Sequence, residues 1–276
     1  MTNITQKDHI LRCLNVSARQ GQQAVLKNIS IDFTAGIHSI LGPNGAGKSS
    51  LIKALAGDIP LDTGSIQFLN KDIKAWKQAD LAQNFAVLPQ KSNLNFAFSV
   101  REVVELGRIP HSSGYQCDQE IIKTCIQALD LNKLSHKAYT QLSGGEQQRC
   151  QLARTLCQIW PQPTNITTAS PKPTSQAKVL LLDEPSSALD IKHQYALMRL
   201  LQDLAKHGVC IICVMHDFNL ASQFSDNISL LKNGELVLSG HTETCLIADV
   251  FSDVFDCKVI ESKHPGTNKK GLSFYA

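Results

Sequence analysis

Residues 42–50 read GPNGAGKSS and carry the most specific chemistry in the chain. Gly42, Gly47, Lys48 and Ser49 meet the spacing of a phosphate-binding loop, with Pro43, Asn44, Gly45 and Ala46 inside it and Ser50 closing it. A polyphosphate concentrates charge on a small group, so its host must converge several donors with no side chain in the way. Glycines let the backbone curl until successive N–H groups form an anion nest. A helix opening at the end of the loop adds free N–H groups and the positive end of its dipole. Lys48 then reaches the outer phosphates, and the Ser49 hydroxyl is placed to bind magnesium. The motif counts only between a strand and a helix. Residues 37–41 supply an apolar strand, and a helical pattern begins near Ser50. These residues specify a nucleotide site.

The surrounding pattern indicates what must hold that loop. Residues 10–16 and 25–33 read as strands. Ile29, Ile31 and Phe33 alternate with Ser30 and Asp32, as in a half-buried antiparallel sheet. Shorter strands are expected at 65–69 and 85–88, with Gly57 stopping the helix after the loop. From about residue 91 to 141 the β-branched runs disappear. Ile122, Cys125, Ile126 and Leu129 recur on one helical face, with Asp118 as candidate N-cap. Residues 179–182 are uniformly apolar, as in a parallel strand buried on both faces, and run into Asp183-Glu184-Pro185. A helix marked by Leu197, Leu200, Leu201 and Leu204 stops at Gly208. The strand 209–215 then delivers His216, and a hairpin turns at Lys232-Asn233-Gly234. The expected class is α/β. Residues 1–90 and 150–276 form a P-loop (RecA-like) core with an antiparallel β subdomain, and 91–149 form an inserted helical subdomain. Residues 161–178, rich in Pro, Thr, Ser and Gln, read as a solvated, mobile loop.

Composition narrows the setting. With 276 residues, 43% hydrophobic and 18% charged, the chain can bury a real core. A net charge of +3 is too mild to indicate a nucleic-acid partner. Nine scattered cysteines and no signal peptide fit reduced thiols in the cytoplasm. Cys210 and Cys213 form a C-x-x-C, but within a strand their side chains face opposite ways. Buried hydrophobes are the better reading than a redox or zinc pair. No apolar run approaches the roughly 18–20 residues of a membrane span, so any membrane role must come through a partner.

Five further elements follow the loop in order: Gln90 at a strand end, LSGGEQQR at 142–149, VLLLDEP at 179–185, SALD at 187–190, and His216. Together they resemble the nucleotide-binding subunit of an ABC transporter over most of residues 10–240. The resemblance implies ATP and Mg2+ as ligands. Asp183 takes the Walker B role and binds magnesium together with Ser49 and Gln90. Glu184 polarises the attacking water, and a dry, anionic site is expected to raise its pKa toward useful base strength. His216 matches the γ-phosphate-sensing switch, and Gln90 couples the helical insertion to the nucleotide. Gly144 and Gly145 also open a helix, yet one small domain cannot obviously sandwich one ATP between both helix ends. In the family a head-to-tail dimer resolves this. Ser143, Gly144, Gly145 and Glu146 complete the partner's site, and Asp190 lies across the interface.

Residues 99–111, with Gly107-Arg108-Ile109-Pro110-His111, and HDFNLA at 216–221 resemble iron-complex and cobalamin importer ATPases. LARTLCQIWP before a long loop, and His264-Pro265, are similar to the haem-importing branch. That branch implies a polytopic permease dimer, an external solute-binding protein engaged indirectly, and a peripheral position on the cytoplasmic face of the inner membrane. Ferric-siderophore or cobalamin import is the nearest alternative. ABC ATPases of translation or DNA repair share the motifs, but normally carry a second cassette or a long coiled coil. The nine histidines include no C-x-x-C-H, and no direct haem binding is expected. Two departures stand out. Ser50 replaces the more usual Thr, and Gln20 stands where many members place an adenine-stacking aromatic.

Overall fold

The chain begins with a hairpin of β1 (Leu11–Gln20) and β2 (Gln23–Phe33), antiparallel from Leu11↔Phe33 to Gln20↔Gln23. The alternation read from the sequence is the one observed: Ile29, Ile31 and Phe33 are buried, Ser30 and Asp32 exposed. The computed structural model describes residues 9–90, 94, 96–161, 177–264, 266 and 268–275. Most of the loop expected at 161–178 lies outside the described residues. Next come β3 (Gly36–Leu41), buried along its whole length, and α1 (Lys48–Ala56), which Gly57 ends in the left-handed conformation. β4 (Thr63–Phe68) and β5 (Lys71–Asp72) complete a four-stranded sheet in the order β2-β1-β4-β5.

After α2 (Gln78–Asn84) and β6 (Phe85–Leu88) the chain turns helical, with α3 (Val100–Glu105), α4 (Tyr115–Ala128) and α5 (Gly144–Ile159). Ile122, Cys125, Ile126 and Leu129 are all buried. Asp118 is not the cap of α4, whose N-cap is Gly114. Its carboxylate instead accepts from Arg108 Nε (2.8 Å) and Ser113 Oγ (2.7 Å). Arg108 is 6% exposed, and a buried guanidinium left unpaired would cost several kcal/mol, on the order of 3–5. That need outweighs a cap. α5 runs unbroken past residue 149, so it belongs to both the helical part and the core.

β7 (Val179–Asp183), α6 (Ile191–Lys206), β8 (Cys210–Val214), α7 (Phe218–Phe224), β9 (Asn227–Lys232) and β10 (Glu235–His241) follow. α8 (Thr242–Cys245), α9 (Ala248–Phe255) and the hairpin β11 (Lys258–Lys263) and β12 (Lys270–Tyr275) close the chain. The main sheet has the order β10-β9-β3-β8-β7-β6, parallel except for β10. Its two faces feed two cores. Ile37, Leu182, Ile211 and Cys213 face the helical side, and Ile40, Leu181, Cys210 and Ile212 face α1 and the smaller sheet. The two C-x-x-C cysteines do point apart, and burial raises both thiols well above the usual range.

Candidate nucleotide site

Strand order assembles the site. β3, β8, β7 and β6 lie side by side and parallel, so their carboxyl ends share one edge, where open α/β sheets bind ligands. The loop of residues 42–47 follows β3, His216 follows β8, Asp183 ends β7 with Glu184 just after it, and Gln90 follows β6. Four motifs distant in sequence become neighbours because apolar strands bury both faces in one sheet.

Lys48 opens α1, and its ammonium donates to the carbonyls of Gly42 (2.8 Å) and Pro43 (2.9 Å). Burial lowers its pKa, while Glu184 and Asp183 pull the other way. Ser49 Oγ donates to Asp183 Oδ1 at 3.1 Å. Burial pushes the Asp183 carboxyl up, the Ser49 bond opposes, and the Glu184 charge adds to the rise. Glu184 Oε1 accepts from Gln90 Nε2 at 2.9 Å and lies 2.7 Å from His216 Nε2. All three residues expected to act in catalysis thus meet at one oxygen. Glu184 adopts φ 53°, a left-handed conformation costing an L-residue roughly 1–2 kcal/mol, at the edge where the motif turns.

One expectation needs correcting. The Glu184 pKa is not raised. Burial pushes it up, but the hydrogen bonds from His216 and Gln90 outweigh burial and hold it below the usual carboxylate range. Of the acid pair, Asp183 is the raised member.

The cleft has a volume of about 550 Å³ and is walled by the loop from Asn44 to Ser50, Gln90 and Glu184. Gln20 lines it as well, together with Gln23, Lys27 and Asn233. Asn233 and Gly234 were expected only as a hairpin turn. The Lys-Asn-Gly signal marks a turn but not where it docks. Gly234 N donates to Ala46 O (3.0 Å), and Lys27 N donates to Gly234 O (2.8 Å). The turn thereby ties β2 to the phosphate loop. A Cβ on Gly47 would stand 2.6 Å from Val25 O, and one on Gly234 2.8 Å from the same atom, both at positive φ. Only glycine fits where three backbones meet.

Ser143, Gly144, Gly145 and Glu146 do not line this cleft. They open α5 with a capping box in which Ser143 N and Oγ donate to Glu146 Oε2 at 2.8 and 2.9 Å. Asp190 caps α6, with Oδ1 accepting from His193 N at 2.8 Å.

The family model described as "ABC transporter" matches residues 26–160. Over 261 residues the chain is 38% identical to the Hemin import ATP-binding protein HmuV of Plesiomonas shigelloides, covering 94% of this chain and 99% of that one. The chain belongs to the ABC transporter family. As an ABC ATPase it binds and hydrolyses ATP. Among solved structures it is similar to an inward-facing ABC transporter of metal-chelate type (22% identity, TM-score 0.74, 97% of each chain). It is also similar to a dimeric ATP-binding cassette holding ADP and Pi after hydrolysis (24%, TM-score 0.70, 84% of this chain and 98% of that one). Both share its RecA-like P-loop fold with inserted helices. No helix among the described residues is long and apolar enough to cross a membrane.

Proposed function

We propose that this chain is the ATP-hydrolysing motor of a haem importer, working through a separate membrane permease. The carrying observation is the near full-length similarity to a hemin import ATPase. In this reading the loop of residues 42–50 holds the phosphates, with Lys48 on the outer ones. Glu184 takes a proton from water, while Gln90 and His216 fix its carboxylate. Ser49 and Asp183 are a hard-oxygen pair already within hydrogen-bond reach, which suits Mg2+, an ion usually held by one or two carboxylates plus phosphate oxygens. Gln90 stands beside them, and the ion would neutralise phosphate charge there. Since Ser143 to Glu146 lie off the cleft, they serve a second copy in a head-to-tail dimer, with Asp190 across the interface. The pair docks on a permease dimer at the cytoplasmic face of the inner membrane, and meets the external binding protein only indirectly.

The test is uptake by proteoliposomes containing the subunit and its permease. ATP-driven entry of haem is expected. Entry of a ferric siderophore or cobalamin without haem would overturn the solute assignment, and failure to co-purify with any polytopic subunit would overturn transport itself.

Haem passes through the permease, so the purified subunit should leave the haem Soret band unshifted. Near-stoichiometric, submicromolar haem binding would contradict this.

The cleft also sets base selectivity. No aromatic ring lines it among the described residues, and Gln20, Gln23, Lys27 and Asn233 offer polar groups instead. A stacking ring is worth about 0.5–1.5 kcal/mol beyond its buried area. Without it most contacts go to phosphates, which ATP and GTP share. ATP and GTP should therefore bind within about tenfold of each other, since about 1.4 kcal/mol is one decade. Gln20→Tyr should tighten ATP binding and leave maximal turnover unchanged, because stacking acts equally on ground and transition states. Competition binding decides. Strong ATP preference in wild type with no gain in the variant would remove Gln20 from the base.

A further inference from the structure

Within one protomer the signature helix α5 touches the stretch from Pro185 to His193, which contains SALD, at three places. A Cβ on Gly145 would meet Ala188 O at 2.8 Å, and Gln148 Nε2 donates to Pro185 O at 3.2 Å. The third contact is a side-chain relay. Arg149 Nη1 lies 3.0 Å from His193 Nε2 and also donates to the carbonyls of Leu129 (3.3 Å) and Asp130 (3.1 Å), just past α4. His193 Nδ1 lies 2.8 Å from Asp190 Oδ1, which also accepts from His193 N.

A guanidinium has donors and no acceptor, so in the neutral ring His193 Nε2 accepts from Arg149 and Nδ1 carries the hydrogen that Asp190 accepts. Asp130 Oδ2 stands 3.7 Å from the same Nε2. These partners on both ring nitrogens hold the imidazole, its side chain 20% exposed, in one orientation. Asp190 is two-thirds exposed, and the cap bond from His193 N alone would leave its carboxylate free to turn about that one oxygen. A cap needs only one backbone N–H, so the second bond to the same oxygen serves orientation rather than helix formation.

We propose that His193 is a positioning residue. Anchored by Arg149 of the signature helix, it holds the Asp190 carboxylate in the orientation presented to the partner protomer. The segments that serve the partner's nucleotide are thereby fixed to one another before the dimer closes. This rests on the composite-site reading above. His193 does not line the cleft, so it acts on turnover and not on nucleotide binding by the single protomer.

The experiment measures ATP turnover against protein concentration, ADP affinity and thermal midpoint for the full chain. His193→Ala should lower turnover about tenfold, the scale of one lost hydrogen bond to a charged group, with ADP affinity within about twofold. His193→Asn keeps a donor near the Nδ1 position and should recover to within about threefold of wild type, since only the anchoring bond to Arg149 is lost. In an Asp190→Ala background His193→Ala should cost nothing further, because residues acting as a unit are non-additive. Wild-type turnover for His193→Ala, an Asn variant no better than Ala, or an equal loss in the Asp190→Ala background would each overturn the proposal. An ATP-loaded Glu184→Gln chain that stays monomeric by light scattering is the separate failure of the composite site, visible without any change at His193, and takes this proposal with it.

Discussion

Glu184→Gln should bind ATP about as tightly as the wild type and turn it over at least about a hundredfold more slowly, the span of one general base being 10²–10⁴. The amide is isosteric, and its oxygen can still accept from Gln90 Nε2 and His216 Nε2 at the position Oε1 now occupies. What it cannot do is take a proton. In the proposed role, a carboxylate below its usual pKa contributes orientation more than basicity, because Gln90 and His216 keep it ionised and aimed. Phosphate release and equilibrium ATP binding measure the two quantities separately. Turnover at the wild-type rate would remove Glu184 from the reaction.

Lys48→Ala should weaken ATP binding by about ten- to a hundredfold, since a hydrogen bond to a charged group is worth about 1.5–3 kcal/mol and each 1.4 is a decade. Lys48 is only 6% exposed and its ammonium rests on two carbonyls, so it is held at the loop instead of searching solvent for a phosphate. Removing it also leaves the Gly42 and Pro43 carbonyls with one donor fewer. Lys48→Arg restores charge but not a compact head, and should recover binding only in part. Titration calorimetry with ATP checks this. Unchanged affinity in Lys48→Ala would mean that the backbone nest alone holds the phosphates.

The sequence was informative where a residue's role depends on its own strand or loop. Residues 179–182 had to be doubly buried because nothing polar interrupts them, and a buried parallel strand delivers its next residues to the sheet edge. That made Asp183, Glu184, His216 and Gln90 readable as strand-end groups. Their electrostatics were not readable. The Glu184 pKa is governed by Gln90 and His216, 94 and 32 residues away in sequence, and no local pattern reports which donors reach one oxygen. Asp118 failed for a similar reason, because the buried Arg108 claims it from outside its helix. Asn233 and Gly234 were legible as a turn, but their place at the phosphate loop depends on β9 pairing with β3. Gln20 is placed by the family resemblance alone, since the strand expected at 10–16 stops short of it; in the structure it ends β1, opposite Gln23, and lines the cleft.

The position of β3 has a consequence for how the protein is made. β3 ends at Leu41, yet its two neighbours, β8 and β9, begin only at Cys210 and Asn227. As the chain leaves the ribosome, the strand that carries the phosphate loop waits through most of synthesis with both hydrogen-bonding edges open and both faces apolar. Such strands are the ones that pair wrongly with other nascent chains, so this is the stretch a holding chaperone has most reason to cover. The same delay leaves unfinished chains without the assembled edge. A product released before Cys210 lacks the strand that separates β3 from β7, and cannot set Ser49 beside Asp183.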